Sequence, residues 1–126
     1  MLFGEPPDEN ALRDVSLRSL AHLGDAVFEL YQREREILRT ATARALHKNV
    51  VLKVNAEHQS ALLDKIEAHL SDSEKDLVRR ARNLKPAGYR KIDQAVYRRS
   101  TAFEALVGYL FLTDMKRLEE ILSLNP

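Results

Sequence analysis

The chain contains no cysteine. That excludes a disulfide framework, a thiolate metal site and a cysteine nucleophile. Glycine and proline are scarce, four of each, and Pro6, Pro7 and Pro126 lie near the ends. The strongest interior break is therefore Lys85-Pro86-Ala87-Gly88. Excess charge of one sign is also lacking. Lys plus Arg total 20 against 19 Asp plus Glu, a formal net charge of +1, so bulk charge does not select a polyanion as partner. The longest apolar run, residues 105–112, is too short to cross a bilayer. The start, Met1-Leu2-Phe3-Gly4-Glu5-Pro6-Pro7-Asp8-Glu9, is acidic and proline-broken, unlike a secretory signal. These absences indicate a reducing location, cytoplasmic or in an organelle stroma, and no membrane partner. No internal repeat, strand-like alternation, phosphate-binding glycine loop or Ser-His-Asp order is found.

What is present is an ordinary globular composition, 44% hydrophobic and 31% charged, in 126 residues and 14.4 kDa. That length suits one domain, residues 1–126, with residues 1–13 a loosely ordered lead-in. Long breaker-free stretches rich in Leu, Ala, Glu, Arg and Lys predict an all-α fold. Ser16 caps a first long helix running to about residue 38, with Leu20, Leu23, Val27, Leu30 and Tyr31 on its apolar side. Thr42 or Ala43 opens a second through Leu46, Val50 and Val54, and Asn55 caps a third through Leu62, Ile66 and Leu70. Ser71 or Ser73 caps a fourth, which ends before Pro86. Asp93 or Ser100 precedes a fifth carrying Phe103, Leu106, Val107 and Leu110, and Asp114 starts a short last helix.

Two helical glycines stand out. Gly24, in Leu20-Ala21-His22-Leu23-Gly24-Asp25-Ala26-Val27, and Gly108, in Glu104-Ala105-Leu106-Val107-Gly108-Tyr109, each cost their helix about 1 kcal/mol relative to alanine. Such residues are retained where another backbone must approach, so the first and fifth helices are expected to cross at them. The crossing brings Asp25 and Glu104 together. These carboxylates are either solvated surface charges or the ligands of a hard divalent cation such as Mg²⁺. Glu29, one turn after Asp25, either joins them or pairs with Arg33.

Near-neutrality conceals a local skew. Within residues 79–99 stand Arg79, Arg80, Arg82, Lys85, Arg90, Lys91, Arg98 and Arg99, against the single acid Asp93. That imbalance exceeds what a helix C-terminus needs, and a nucleic-acid backbone is its natural partner. Asn83 adds a polar contact. Arg39, Arg44, Lys48 and Lys53 form a second basic stretch. His22, His47, His58 and His69 show no metal-ligand spacing.

The segment from Leu20 through Asp25 to Val27 resembles the ribonuclease III signature, a long helix carrying an aspartate after a Leu-Gly pair. Phe103-Glu104-Ala105-Leu106-Val107-Gly108-Tyr109-Leu110 resembles that family's second signature. With Tyr97-Arg98 upstream, the chain looks most like the Mini-ribonuclease III subfamily, which consists of the nuclease domain alone. The resemblance implies the helical ribonuclease III endonuclease fold and an Mg²⁺-dependent endoribonuclease. It implies catalytic and metal-binding roles for Asp25 and Glu104, and contact with double-stranded RNA through Arg79, Arg80, Arg82, Asn83, Lys85, Arg90 and Lys91. It further implies a homodimer, 5′-phosphate and 3′-hydroxyl ends, maturation of large-subunit (23S) ribosomal RNA precursors, and no double-stranded-RNA-binding domain. Larger members carry acids where this chain has Arg18, Ala21 and Thr101. That departure fits the subfamily, and it also motivates the alternative of a catalytically inactive RNA-binding or ribosome-assembly module. A purely structural helical dimer is the third reading.

Overall fold

The computed structural model describes residues 1–85 and 93–124. Among these residues seven α-helices form: α1 (Glu9–Arg13), α2 (Leu17–Ile37), α3 (Ala43–Val54), α4 (Ala56–Ile66), α5 (Asp72–Arg82), α6 (Gln94–Thr113) and α7 (Met115–Ser123). A single 3₁₀ turn, Glu67–His69, extends α4. Among the described residues there is no strand, as expected of an all-α chain.

Each long helix starts where a side chain can satisfy its free N–H groups. Ser16 Oγ accepts from Ser19 N–H at 3.0 Å, Thr42 Oγ1 from Ala45 at 3.1 Å, and Asn55 Oδ1 from His58 at 2.8 Å. Ser71 and Glu74 close a reciprocal capping box. Asp93 caps α6, accepting from Ala95 and Val96, and Asp114 caps α7. A cap of this kind contributes about 1 kcal/mol. Of the alternatives open in the sequence, Thr42, Ser71 and Asp93 are the caps. Ser100 is instead an interior residue of α6 and is buried. Within the first thirteen residues Asp8 caps the five-residue α1.

Helix α6 is the central element, apolar on nearly every side, which is the pattern of a helix buried by its neighbours. Phe103, Ala105, Leu106, Val107 and Leu110 are all buried on it. Helices α2, α4, α5 and α7 pack around it. Phe28 of α2 meets Phe103 edge-on at 5.0 Å between ring centroids, and Leu63, Ile66, Leu77, Val78 and Ile121 complete the core.

Two buried acids fasten the periphery. Glu36, at the end of α2, accepts from Lys53 of α3, which holds its carboxyl below the usual range against the opposing effect of burial. Glu74 of α5 is bound by Arg117 of α7 through two hydrogen bonds of 2.9 Å, and Arg117 also donates to the His69 carbonyl. The tightest contact joins α2 to α6. A Cβ placed on Gly108 would lie 2.0 Å from the Leu20 carbonyl oxygen, so only glycine lets the two backbones touch.

Candidate active site

The glycine crossing positions the acids. Asp25 follows Gly24 on α2, and Glu104 lies one turn before Gly108 on α6, so the contact that excludes a Cβ brings both carboxyls to one cleft. The cleft has a volume of about 380 Å³ and is lined by Arg18, Ala21, His22 and Asp25 from α2 and by Tyr97, Thr101 and Glu104 from α6. Asp25 is exposed, whereas Glu104 is half-buried.

Burial pushes the Glu104 carboxyl up to about 9, and Asp25 adds to the rise through a shared hydrogen bond and through its negative charge. The Gln59 side chain, from α4, opposes it. Near neutral pH Glu104 therefore keeps its proton, as expected of a buried carboxyl beside a like charge. Glu29 is not among the cleft's lining residues and pairs with Arg33 at 3.5 Å.

The basic residues are distributed unevenly. Arg79, Arg80 and Arg82 are exposed at the end of α5, followed by Asn83, its C-cap residue, and Lys85, both exposed. Asp76 accepts from Arg79 at 2.7 Å and from Arg80 at 3.0 Å, and Glu67 lies 3.7 Å from Arg82. Arg99 pairs with Asp64 of α4. Arg18, at the rim of the cleft, donates to the Lys85 carbonyl, so the chain leaving α5 is tied beside the two acids. Arg90 and Lys91 lie outside the described residues. In the second basic stretch, Lys53 is engaged by Glu36, whereas Arg44 and Lys48 are exposed on α3.

The Ribonuclease III domain family model matches residues 18–115, which span both acids, the crossing and the end of α5. The chain belongs to the ribonuclease III family. A Mini-ribonuclease 3 of Gloeobacter violaceus is 45% identical over 117 residues, covering 93% of this chain and 87% of the relative. The Mini-ribonuclease 3 of Synechocystis is 40% identical over 119 residues, covering 94% and 83%. A crystal structure of a Fusobacterium nucleatum protein superposes with a TM-score of 0.79 at 34% identity, covering 89% of this chain and 92% of that one. Family membership makes this ribonuclease III domain an RNA endonuclease, from a family that acts on double-stranded RNA and generally uses divalent metal ions. Among its described residues no helix is long and apolar enough to cross a membrane.

Arg18, Ala21 and Thr101, which depart from the larger members of the ribonuclease III family, all line the cleft. Two polar residues beside it escape a reading of motifs. Gln59 is buried on α4, and Ser100 Oγ donates to its Oε1 at 2.5 Å. A signal existed: Gln59 shares the stripe of Leu62, Leu63 and Ile66, and Ser100 that of Phe103 and Val107. A polar residue on an apolar stripe needs a partner.

Proposed function

We propose that this chain is an Mg²⁺-dependent endoribonuclease that cuts double-stranded RNA as a homodimer, leaving 5′-phosphate and 3′-hydroxyl ends. Its proposed substrates are stems of large-subunit (23S) ribosomal RNA precursors. Residues 1–126 act as a single catalytic domain that binds and cuts with the same surface. The observation that carries this reading is the Asp25–Glu104 pair, two carboxyls meeting in one cleft, with Asp25 and burial raising the pKa of Glu104.

The donor set suits the ion. Mg²⁺ takes hard oxygens, keeps several waters and is commonly bound by one or two carboxylates plus substrate phosphate. Among the described residues no group of three or more His, Asp or Glu side chains gathers as a closed cage. Asp25 and Glu104 would hold the ion and leave its other positions to water and RNA. When bound, Mg²⁺ lowers the pKa of water and stabilises charge on the phosphate and the leaving oxygen. The chain's own residues orient the duplex: Arg79, Arg80, Arg82, Asn83 and Lys85 meet phosphates, and Arg90 and Lys91, outside the described residues, are proposed to join them. A-form RNA is read chiefly through backbone and shape, which suits such a set. For the second copy, α2, α6 and α7 offer a mostly apolar hollow of about 310 Å³ lined by Val27, Leu30, Tyr31, Phe111, Met115 and Leu122.

The test is cleavage of a defined duplex by purified protein with and without Mg²⁺, alongside Asp25→Asn and Glu104→Gln. Wild type is expected to cut both strands only with Mg²⁺, and each variant to stay folded and dimeric while cutting nothing. Robust cleavage by either variant would remove the assignment. Tight duplex binding by wild type without cleavage would favour the inactive RNA-binding module.

A further inference from the structure

Gln59 is 1% exposed and makes a bond that fixes its orientation. Ser100 Oγ donates to Gln59 Oε1 at 2.5 Å, so the amide oxygen faces Ser100 and the NH₂ end is turned away from it. Ser100 and Glu104 lie one turn apart on the same face of α6. Helix α4 therefore meets that face of α6 through Gln59, whose oxygen is taken by Ser100, one turn before Glu104. Among the described residues Gln59 Nε2 closes no hydrogen bond of ordinary geometry, although it is fully shielded. The Gln59 side chain lowers the pKa of the Glu104 carboxyl, against the effect of burial and of Asp25.

We propose that Gln59 is a positioning residue for Glu104: its Nε2–H donates to the Glu104 carboxylate when that group faces a divalent cation, and Ser100 holds the amide in register. This rests on the metal-binding reading of the cleft. The chemistry asks for glutamine at this place. A Glu104 carboxylate turned toward a cation in the cleft keeps lone pairs on its protein side, and an acceptor there needs a donor. A preoriented amide supplies one without adding a charge, and its own oxygen is already occupied. An outer partner of this kind fixes the orientation of a metal-binding carboxylate.

The experiment is titration of Mn²⁺ into the metal-free protein by calorimetry, for wild type, Gln59→Met and Ser100→Ala, paired with the Mg²⁺ dependence of duplex cleavage. Gln59→Met is expected to weaken Mn²⁺ binding about tenfold and to raise the half-saturating Mg²⁺ for cleavage by a similar factor. KM for duplex at saturating Mg²⁺ should stay unchanged. Ser100→Ala is expected to shift both in the same direction by less, and it carries the test if Gln59→Met does not fold. A merely structural Gln59 would lower thermal stability and leave the cation midpoint in place, which would overturn the proposal. If wild type itself binds no Mn²⁺ and cuts nothing, the reading of the cleft falls and this inference with it. If wild type does both and the folded variants match it, only the role of Gln59 falls.

Discussion

Gly24 and Glu104 touch through their main chains: a Cβ added to Gly24 would lie 1.7 Å from the Glu104 carbonyl oxygen and 2.9 Å from the Gly108 nitrogen. The acid of α6 is thus held by the same contact that places the acid of α2. No side-chain rotation relieves a clash with backbone, so Gly24→Ala must push α2 and α6 apart. Gly24→Ala is expected to cost about 3 kcal/mol, the upper end for overpacking, and chemical denaturation measures it. Any folded fraction should cut RNA poorly, because separating the helices separates the carboxyls. A variant with wild-type stability would show that the crossing is looser than this contact.

The raised pKa of Glu104 has a consequence for stability. Glu104 keeps its proton to about pH 9 in the native state, whereas the unfolded chain releases it near 4.5. The native state binds more protons between those values. The stability this proton contributes is present in full below pH 4.5 and is lost as pH rises through about 9. Glu104→Gln removes the titration, so the metal-free variant should melt a few degrees above wild type at pH 8, with the difference vanishing at pH 4. Melting curves in EDTA across that range test it, and parallel curves at every pH would contradict it.

Much of this was legible because each signal is local. Ser16, Asn55 and Asp114 announce their helices within three residues, and the paired carboxyls follow from two glycines that no isolated helix would favour. The 3₁₀ turn and α1 are too short to show a period. The role of Ser100 was ambiguous because serine caps helices and also sits buried when a partner is supplied from elsewhere; that partner, Gln59, is 41 residues away. The basic count from Arg79 onward missed Asp76, which lies just upstream and holds two of the arginines through ordinary i,i+3 and i,i+4 spacing.

The buried pair Glu74–Arg117 makes an acid-side prediction. The Arg117 hydrogen bond, foremost, holds the Glu74 carboxyl below its usual range near 4.5 despite burial. The unfolded state then takes up its proton first as pH falls. The stability this pair contributes is therefore present above about 4.5 and lost as pH drops through the depressed native value. Arg117→Met leaves Glu74 buried without its partner and should cost about 3 kcal/mol at pH 7. It should also flatten the acid limb of the stability curve. Urea unfolding between pH 3 and 7 reads both, and an unchanged acid limb would assign the slope to other carboxyls.

Asp76 sets the strength of the proposed RNA surface. It binds both Arg79 and Arg80, so their guanidinium groups reach phosphate only in competition with it. Asp76→Asn weakens that competition, and it is expected to tighten duplex binding severalfold at low salt and to steepen the salt dependence. Replacing Arg79, Arg80 and Arg82 together with alanine should act oppositely. If each contacts one phosphate, the slope of log affinity against log salt falls by about 2 to 3, since each contact releases close to one counterion. Both measurements belong in the Glu104→Gln background without Mg²⁺, where the duplex is bound and not cut. An unchanged slope in the triple variant would move the duplex off the end of α5. Lys48 and Arg44 of α3, exposed and in no ion pair among the described residues, would then be the next positions to replace.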